Sequence, residues 1–168
     1  MAMDVRAALK GQYRASMAML REAIESCPAG LWESGTHPVL FWRVAYHALF
    51  FTHLYLGPDE HSFVAWERHR PGCELLGRTP RPPHEIPPVV EAYAREDILA
   101  YWRFCEARID GDVDRLDLDA PTCGFWWYKL PKLDHQLNNI RHIQHHAALL
   151  SGRLRAATGV DIRWVGWV

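Results

Sequence analysis

The chain has 168 residues, which is long enough to bury a hydrophobic core, and we expect a single domain over residues 1–168. Its residues are 49% apolar and 23% charged, a composition that is unlike that of a disordered protein. Its 19 basic and 20 acidic residues give a net charge of −1 without any basic run, which argues against nucleic acid as a partner. The 4 cysteines form no C-x-x-C pair, and no apolar stretch resembles a leader or a membrane span. We therefore expect a cytoplasmic protein with reduced thiols and no membrane contact.

Apolar residues recur at helical spacing along most of the chain. This pattern predicts a first helix over residues 4–27 and a second over 38–56, each followed by a turn rich in proline and glycine. A short helix could lie within 59–69. A third helix is predicted over 88–109 and a fourth over 131–158. Because no segment alternates as a strand does, we predict an all-α fold, an antiparallel-type four-helix bundle.

The segment 70–88 separates the second and third predicted helices. It contains 6 prolines and 2 glycines, too many for a regular element. A loop of this length inside a domain is uncommon and tends to cover a site or to mediate a contact. We therefore expect it to form a lid or a rim.

Among the 10 histidines, three have positions that suit a shared metal ion. His142 and His146 are one helical turn apart, so their nitrogens can converge on one ion. His47 lies on the apolar face of the second helix and can reach that ion from a facing helix. His53 and His145 are not expected to be ligands. The alternative for His47 is a core histidine that is hydrogen-bonded to a carbonyl or a tyrosine.

Two segments carry a resemblance to a known family. The sequences NIRHIQHHAALLSGRLR and FWRVAYHALFFTHLYLG resemble the DinB-like (DinB/YfiT) metalloenzymes, in matching order over most of the chain. Members of that family are four-helix bundles, often dimers, whose metal ligands are one histidine of the second helix and an H-x-x-x-H pair of the last. The resemblance therefore implies His47, His142 and His146 as ligands and a homodimer. Leu149 departs from the family, since many members have glutamine there.

Three neutral histidines favour Zn²⁺ or Ni²⁺, with iron or manganese as further options, and leave coordination positions open. The family includes thiol S-transferases and a thiol-dependent isomerase. The resemblance thus implies a metal-dependent transferase or hydrolase that acts on a small molecule such as a low-molecular-weight thiol. The alternatives are a non-enzymatic metal-binding or stress-related interaction module, whose loop 70–88 engages a protein, and a bundle that has lost its ion.

Three further residues are candidates for a supporting role. Asp97 lies on the apolar stripe of the third helix, where its carboxylate could orient a ligand imidazole; the alternative is an ion pair with an arginine. Asn139, one turn before the H-x-x-x-H pair, could act similarly. Arg43 could bind an anionic group of a substrate, or it could form a surface ion pair.

Overall fold

The computed structural model describes residues 4–33, 37–78, 84 and 91–168. Within these ranges all regular structure is helical and no strand is present, which confirms the predicted all-α class. The helices are α1 (Val5–Ser26), α2 (Ala29–Trp32), α3 (Phe41–Leu56), α4 (Arg95–Arg115) and α5 (Lys132–Thr158). None of these helices is long and apolar enough to cross a membrane.

The ends of the helices follow the chemistry of the local sequence. Asp4 precedes α1, and its carboxylate accepts a hydrogen bond of 2.9 Å from the Ala7 N–H, which would otherwise lack a partner in the first turn. Pro131, which has no N–H to lose, immediately precedes α5. Gly159 ends α5 with a φ of 74°, a left-handed conformation that glycine adopts without strain, and its N–H bonds to the Arg155 carbonyl.

The four long helices form a bundle in which α1 and α3 stand at opposite corners, each packed against both α4 and α5. Helices α1 and α4 are antiparallel, since residue numbers rise along one helix as they fall along the other: Lys10 contacts Asp114, and Arg14 contacts Asp110. Helices α3 and α5 are antiparallel for the same reason, with contacts of His47 to His142 and of Thr52 to Asn139. Helices α1 and α5 are parallel, since residue numbers rise together: Tyr13 contacts Gln136, and Met19 contacts Gln144. Helices α3 and α4 are also parallel, with contacts of Tyr46 to Tyr101 and of Leu49 to Cys105. The antiparallel prediction therefore holds for α1/α4 and α3/α5 but not for the other two neighbouring pairs.

The connection between α3 and α4 accounts for their parallel arrangement. Because both helices run in the same direction, the chain must return along the bundle, by about 24 Å for the 16 residues of α3. The segment 57–94 makes this return. Part of the predicted loop 70–88 lies outside the described residues, at 79–83 and 85–90.

The element boundaries differ from the predictions in three places. α2 is a single turn that was not predicted, and it places Trp32 in the core. Residues 59–69 form turns rather than a helix, and one of these turns is closed by the carboxylate of Asp59. α4 starts later than the predicted 88–109. It also ends later, because its apolar stripe continues to the fully buried Val113.

Aromatic side chains fill much of the core. The largest fully buried side chains are Trp42, Tyr13, Tyr46, Tyr93, Tyr101, Phe41, Phe125, Met17, Leu20, Ile24, Leu49 and Leu56. The inner face of α5 is more polar, since His135, Gln136 and Asn139 are each 0% exposed. Buried polar side chains are expensive unless they have partners, so this face is where a site is expected.

Candidate metal centre

Three histidines meet where α3 faces α5. His47 projects from α3, while His142 and His146 project from successive turns of α5. The Nε2 atom of His142 lies 3.0 Å from Nε2 of His47 and 3.1 Å from Nε2 of His146. One nitrogen from each ring lies within 4.8 Å of the other two. This group, called here the three-histidine group, could hold a single metal ion.

The protonated nitrogen of His47 is fixed by the main chain. Its Nδ1 lies 2.6 Å from the carbonyl oxygen of Glu74. A carbonyl oxygen can only accept a hydrogen bond, so Nδ1 must carry the proton. In the neutral ring Nε2 is then left with a bare lone pair, and this atom faces His142 and can bind a metal.

Burial keeps all three rings uncharged at neutral pH. It lowers the pKa of His47 to about 4. Burial, with the neighbouring histidines adding to its effect, lowers the pKa of His142 to about 3 and that of His146 to about 2. A neutral imidazole is the form that coordinates a metal, so the environment prepares the three-histidine group for binding rather than for proton uptake.

The three nitrogens cannot satisfy one another. The bare Nε2 of His47 faces Nε2 of His142, which also faces Nε2 of His146. A single N–H on the central ring cannot make a linear hydrogen bond to both neighbours. A divalent cation among three lone pairs removes this conflict, so the residues present fit such an ion.

The outer nitrogens of the two α5 histidines are supported differently from that of His47. Nδ1 of His142 and Nδ1 of His146 are buried, and neither has a hydrogen-bond partner in the part of the chain that is described. Ligand histidines usually donate this second N–H to an oxygen that orients the ring. Here His47 has that support from Glu74, whereas the two rings of α5 are held by their helix and its packing.

Residues 69–74, called here the strap, lie beside α3 at the three-histidine group. Arg43 donates a hydrogen bond of 2.6 Å to the carbonyl of Gly72, one turn before the histidine of α3. The hydroxyl of Tyr46 lies 2.7 Å from Nδ1 of His69. The described start of the predicted loop 70–88 is thus next to the site, as a rim would be.

The candidate supporting residues have partners elsewhere in the bundle. The Asp97 carboxylate lies 2.7 Å from the guanidinium of Arg68. This is an ion pair with an arginine, the alternative that the sequence offered for Asp97. Asn139 donates from Nδ2 to the Tyr13 hydroxyl at 3.0 Å and to the Thr52 carbonyl at 3.4 Å. Any further role of these residues beside the ligands, and of Arg43 with a substrate, stays a prediction.

Two other histidines lie outside the three-histidine group. His145 is exposed on α5, and His53 is buried on the α4 side of α3 with Nδ1 3.1 Å from the Tyr101 hydroxyl. The carbonyl of Glu74 was missed by the sequence analysis. No sequence signal could have revealed it, because every residue has a carbonyl group and only the path of the chain selects one.

No family model, curated protein or solved structure matches this chain. Its class is therefore defined by its own fold and site. The protein is an all-helical bundle with a three-histidine group that could hold a metal ion.

Proposed function

We propose that this protein is a DinB-like metal-binding bundle in which His47, His142 and His146 hold one divalent ion, Zn²⁺ or Ni²⁺. The observation that carries the proposal is the convergence of three neutral Nε2 atoms from two helices. The segments around these histidines supply the resemblance to that family. Iron and manganese are further options, because imidazole also binds them.

We propose further that the site is catalytic, of thiol S-transferase or hydrolase type, with a small molecule such as a low-molecular-weight thiol as substrate. A divalent ion with open coordination positions would supply acidification of a thiol or a water molecule bound to it. The protein residues provide neutral ligands, and Glu74 and the strap keep the ring of His47 oriented. Three ligands from the protein leave room for a substrate, which is the arrangement typical of catalytic zinc sites.

The cysteines do not offer another nucleophile. All of Cys27, Cys73, Cys105 and Cys123 are buried. Burial raises the pKa of Cys27 to about 11, and it also raises the pKa of Cys73 and Cys105. Because the thiolate is the reactive form, Cys27, Cys73 and Cys105 are poorly suited to attack a substrate, and Cys123 is buried away from one. This supports a mechanism that depends on the three-histidine group.

One observation favours a second candidate, a non-enzymatic metal-binding or interaction module. Two cavities that the described residues form, one beside α3 and α4 and one beside the C-terminal residues, are lined by none of the three histidines. An enzyme for a small molecule usually has its reactive group in such a cavity. A metal-binding module needs no cavity there, and its strap would be available to a partner.

Metal content in single variants tests the proposed ligands. Wild-type protein, loaded with Zn²⁺ and passed through a desalting column, should retain about one ion per chain by mass spectrometry of the elements. His142→Ala should lose the ion, whereas His145→Ala, which removes an exposed histidine of the same helix, should retain it. Circular dichroism checks that both variants are folded. Equal retention in the two variants would refute the assignment.

We also propose a homodimer. Trp164 and Trp167 are 76% and 84% exposed, and large aromatic side chains are enriched in protein interfaces. Light scattering of wild-type protein at micromolar concentration should give twice the chain mass of 19.4 kDa. A mass of one chain would contradict the proposal.

A further inference from the structure

A cavity lies between the end of α3 and α4, away from the three-histidine group. It has a volume of about 860 Å³ and is enclosed by the end of α3, the second half of α4 and the turns at 57–67. This volume is in the range of sites for small molecules. The cavity, called here the α3–α4 cavity, is lined by none of the three proposed metal ligands.

One wall of the α3–α4 cavity carries two arginines that share one carboxylate. Asp112 is 4% exposed, and Arg108 approaches it in a forked manner, with Nε 3.0 Å from Oδ2 and Nη2 3.4 Å from Oδ1. Arg115 also pairs with Asp112, through its Nη2. The carboxylate cannot neutralise both guanidinium groups, so this wall has one positive charge in excess.

Some donors of these arginines remain available to a ligand. Nη1 of Arg108, and Nε and Nη1 of Arg115, have no hydrogen-bond partner among the described residues. The other acidic residue of the lining, Glu67, is 77% exposed and has its own cation in Arg68, 3.6 Å away. Guanidinium groups with free N–H donors, held in place by a buried carboxylate, are well suited to bind an anionic oxygen pair.

The cavity also has an apolar and aromatic surface, and part of it adjoins the arginines: Phe104 lies one turn before Arg108 on α4, with the Arg108 guanidinium 5.3 Å from its ring centroid. Phe63 and Phe104 contact the ring of His53 at centroid distances of 4.9 Å each, in edge-to-face arrangements. Val64 lies at the rim and is 79% exposed, an unusual exposure for a large apolar side chain beside a cavity. Such a surface favours a flat, apolar body.

We propose that the α3–α4 cavity binds a small amphipathic carboxylate, with its apolar or aromatic body against Phe63 and Phe104 and its carboxylate on Arg108 and Arg115. The guanidinium groups and the aromatic surface beside them specify the two ends of the ligand. The site is separate from the three-histidine group and does not depend on the function proposed for that group.

Nuclear magnetic resonance titration with a matched pair of probes tests the charge requirement. The full chain is titrated with 4-phenylbutyrate and, separately, with its uncharged amide, and backbone amide signals are followed. The carboxylate should shift the signals of Val64 and Arg108 and should bind at least about tenfold more tightly than the amide. Equal affinities, no binding of either probe at millimolar concentration, or shifts confined to His142 and its neighbours would each overturn the proposal.

Single substitutions at exposed positions test the location. Arg115→Gln should weaken 4-phenylbutyrate binding about three- to tenfold, an effect limited by the 71% exposure of this side chain. Val64→Glu should also weaken it, because it adds a negative charge at the rim. Arg103→Gln removes an exposed arginine of α4 outside the cavity and should leave the affinity unchanged. Wild-type affinity in both cavity variants, or equal weakening in the control, would refute the site.

Discussion

The imidazole of His47 donates a hydrogen bond of 2.6 Å from Nδ1 to the main-chain carbonyl of Glu74, so a segment far along the chain decides which nitrogen of this ring is free. Because the carbonyl belongs to the backbone, no side-chain substitution at position 74 removes it directly. The path of the strap, residues 69–74, therefore sets the chemistry of one proposed ligand.

This contact predicts the tautomer of His47 in the metal-free protein. At pH 7 the ring should be neutral, with its proton on Nδ1, since burial lowers its pKa to about 4 and Glu74 offers only an acceptor. A long-range correlation spectrum of ¹H and ¹⁵N should show this single tautomer. Added Zn²⁺ should then shift mainly the Nε2 signal. A proton on Nε2 before metal addition would contradict the hydrogen bond from Nδ1 to the Glu74 carbonyl.

A substitution of Asn139 can distinguish two roles for this side chain, one in the stability of the bundle and one in support of the metal ligands. It is fully buried, and its Nδ2 donates to the Tyr13 hydroxyl and the Thr52 carbonyl. Asn139→Ala should lower the free energy of unfolding by about 1–3 kcal/mol, because buried polar groups lose a partner. Urea unfolding should show this loss both with and without Zn²⁺. If the variant is stable but binds the ion much more weakly, Asn139 acts on the ligands instead.

The spacing of residues in the sequence predicted those features that depend on local geometry. His142 and His146 fall on one face because a helix repeats every turn, and Pro131 and Gly159 mark the real start and end of the last helix. The directions of neighbouring helices were not predictable in this way. They depend on where the long connection 57–94 leads the chain, which is decided by packing between distant residues.

The same limit applies within the candidate site. The sequence identified three histidines that the fold brings together, and it offered an ion pair with an arginine as one option for Asp97, but it indicated neither the carbonyl of Glu74 nor Arg68 as that arginine. Both depend on the turns that precede α4, where apolar periodicity carries no information.

Gly124 holds the loop before α5 against the end of α3. Its φ is +86°, and a Cβ there would collide with the carbonyl oxygen of Pro58. Gly124→Ala should therefore cost about 2 kcal/mol or more in unfolding free energy. Gly152→Ala is the matched control, since Gly152 lies inside α5 with nothing within 4 Å of the added methyl group. It should gain about 0.5–1 kcal/mol, and equal effects of the two would contradict this account.

His135 makes the stability of the bundle depend on pH. It is 0% exposed among the rings of Tyr55, Phe125 and Tyr128, and burial, with a smaller effect of Lys132, lowers its pKa to about 4. Between pH 6.5 and about 4 the unfolded chain takes up a proton that the folded chain refuses, so acid lowers stability in this window.

The variant His135→Phe should reduce this acid sensitivity. Its loss of unfolding free energy between pH 7 and pH 5 should be smaller than that of wild-type protein by about 1–2 kcal/mol. Both proteins are compared by urea unfolding in the presence of a chelator, so that metal binding does not contribute. Equal losses in the two proteins would show that His135 is protonated without cost in the fold.

Turnover, if the site is catalytic, should require the three-histidine group, because all four cysteines are buried and burial raises the pKa of Cys27, Cys73 and Cys105. The measurement is a screen of low-molecular-weight thiols with electrophiles, together with simple hydrolytic substrates. Wild-type protein loaded with Zn²⁺ or Ni²⁺ should be active, and a chelator or His142→Ala should abolish the activity. His145→Ala should keep it, since that side chain is exposed and outside the group. Activity that survives both the chelator and His142→Ala would rule out the metal mechanism, whereas metal binding without any turnover would favour the interaction module.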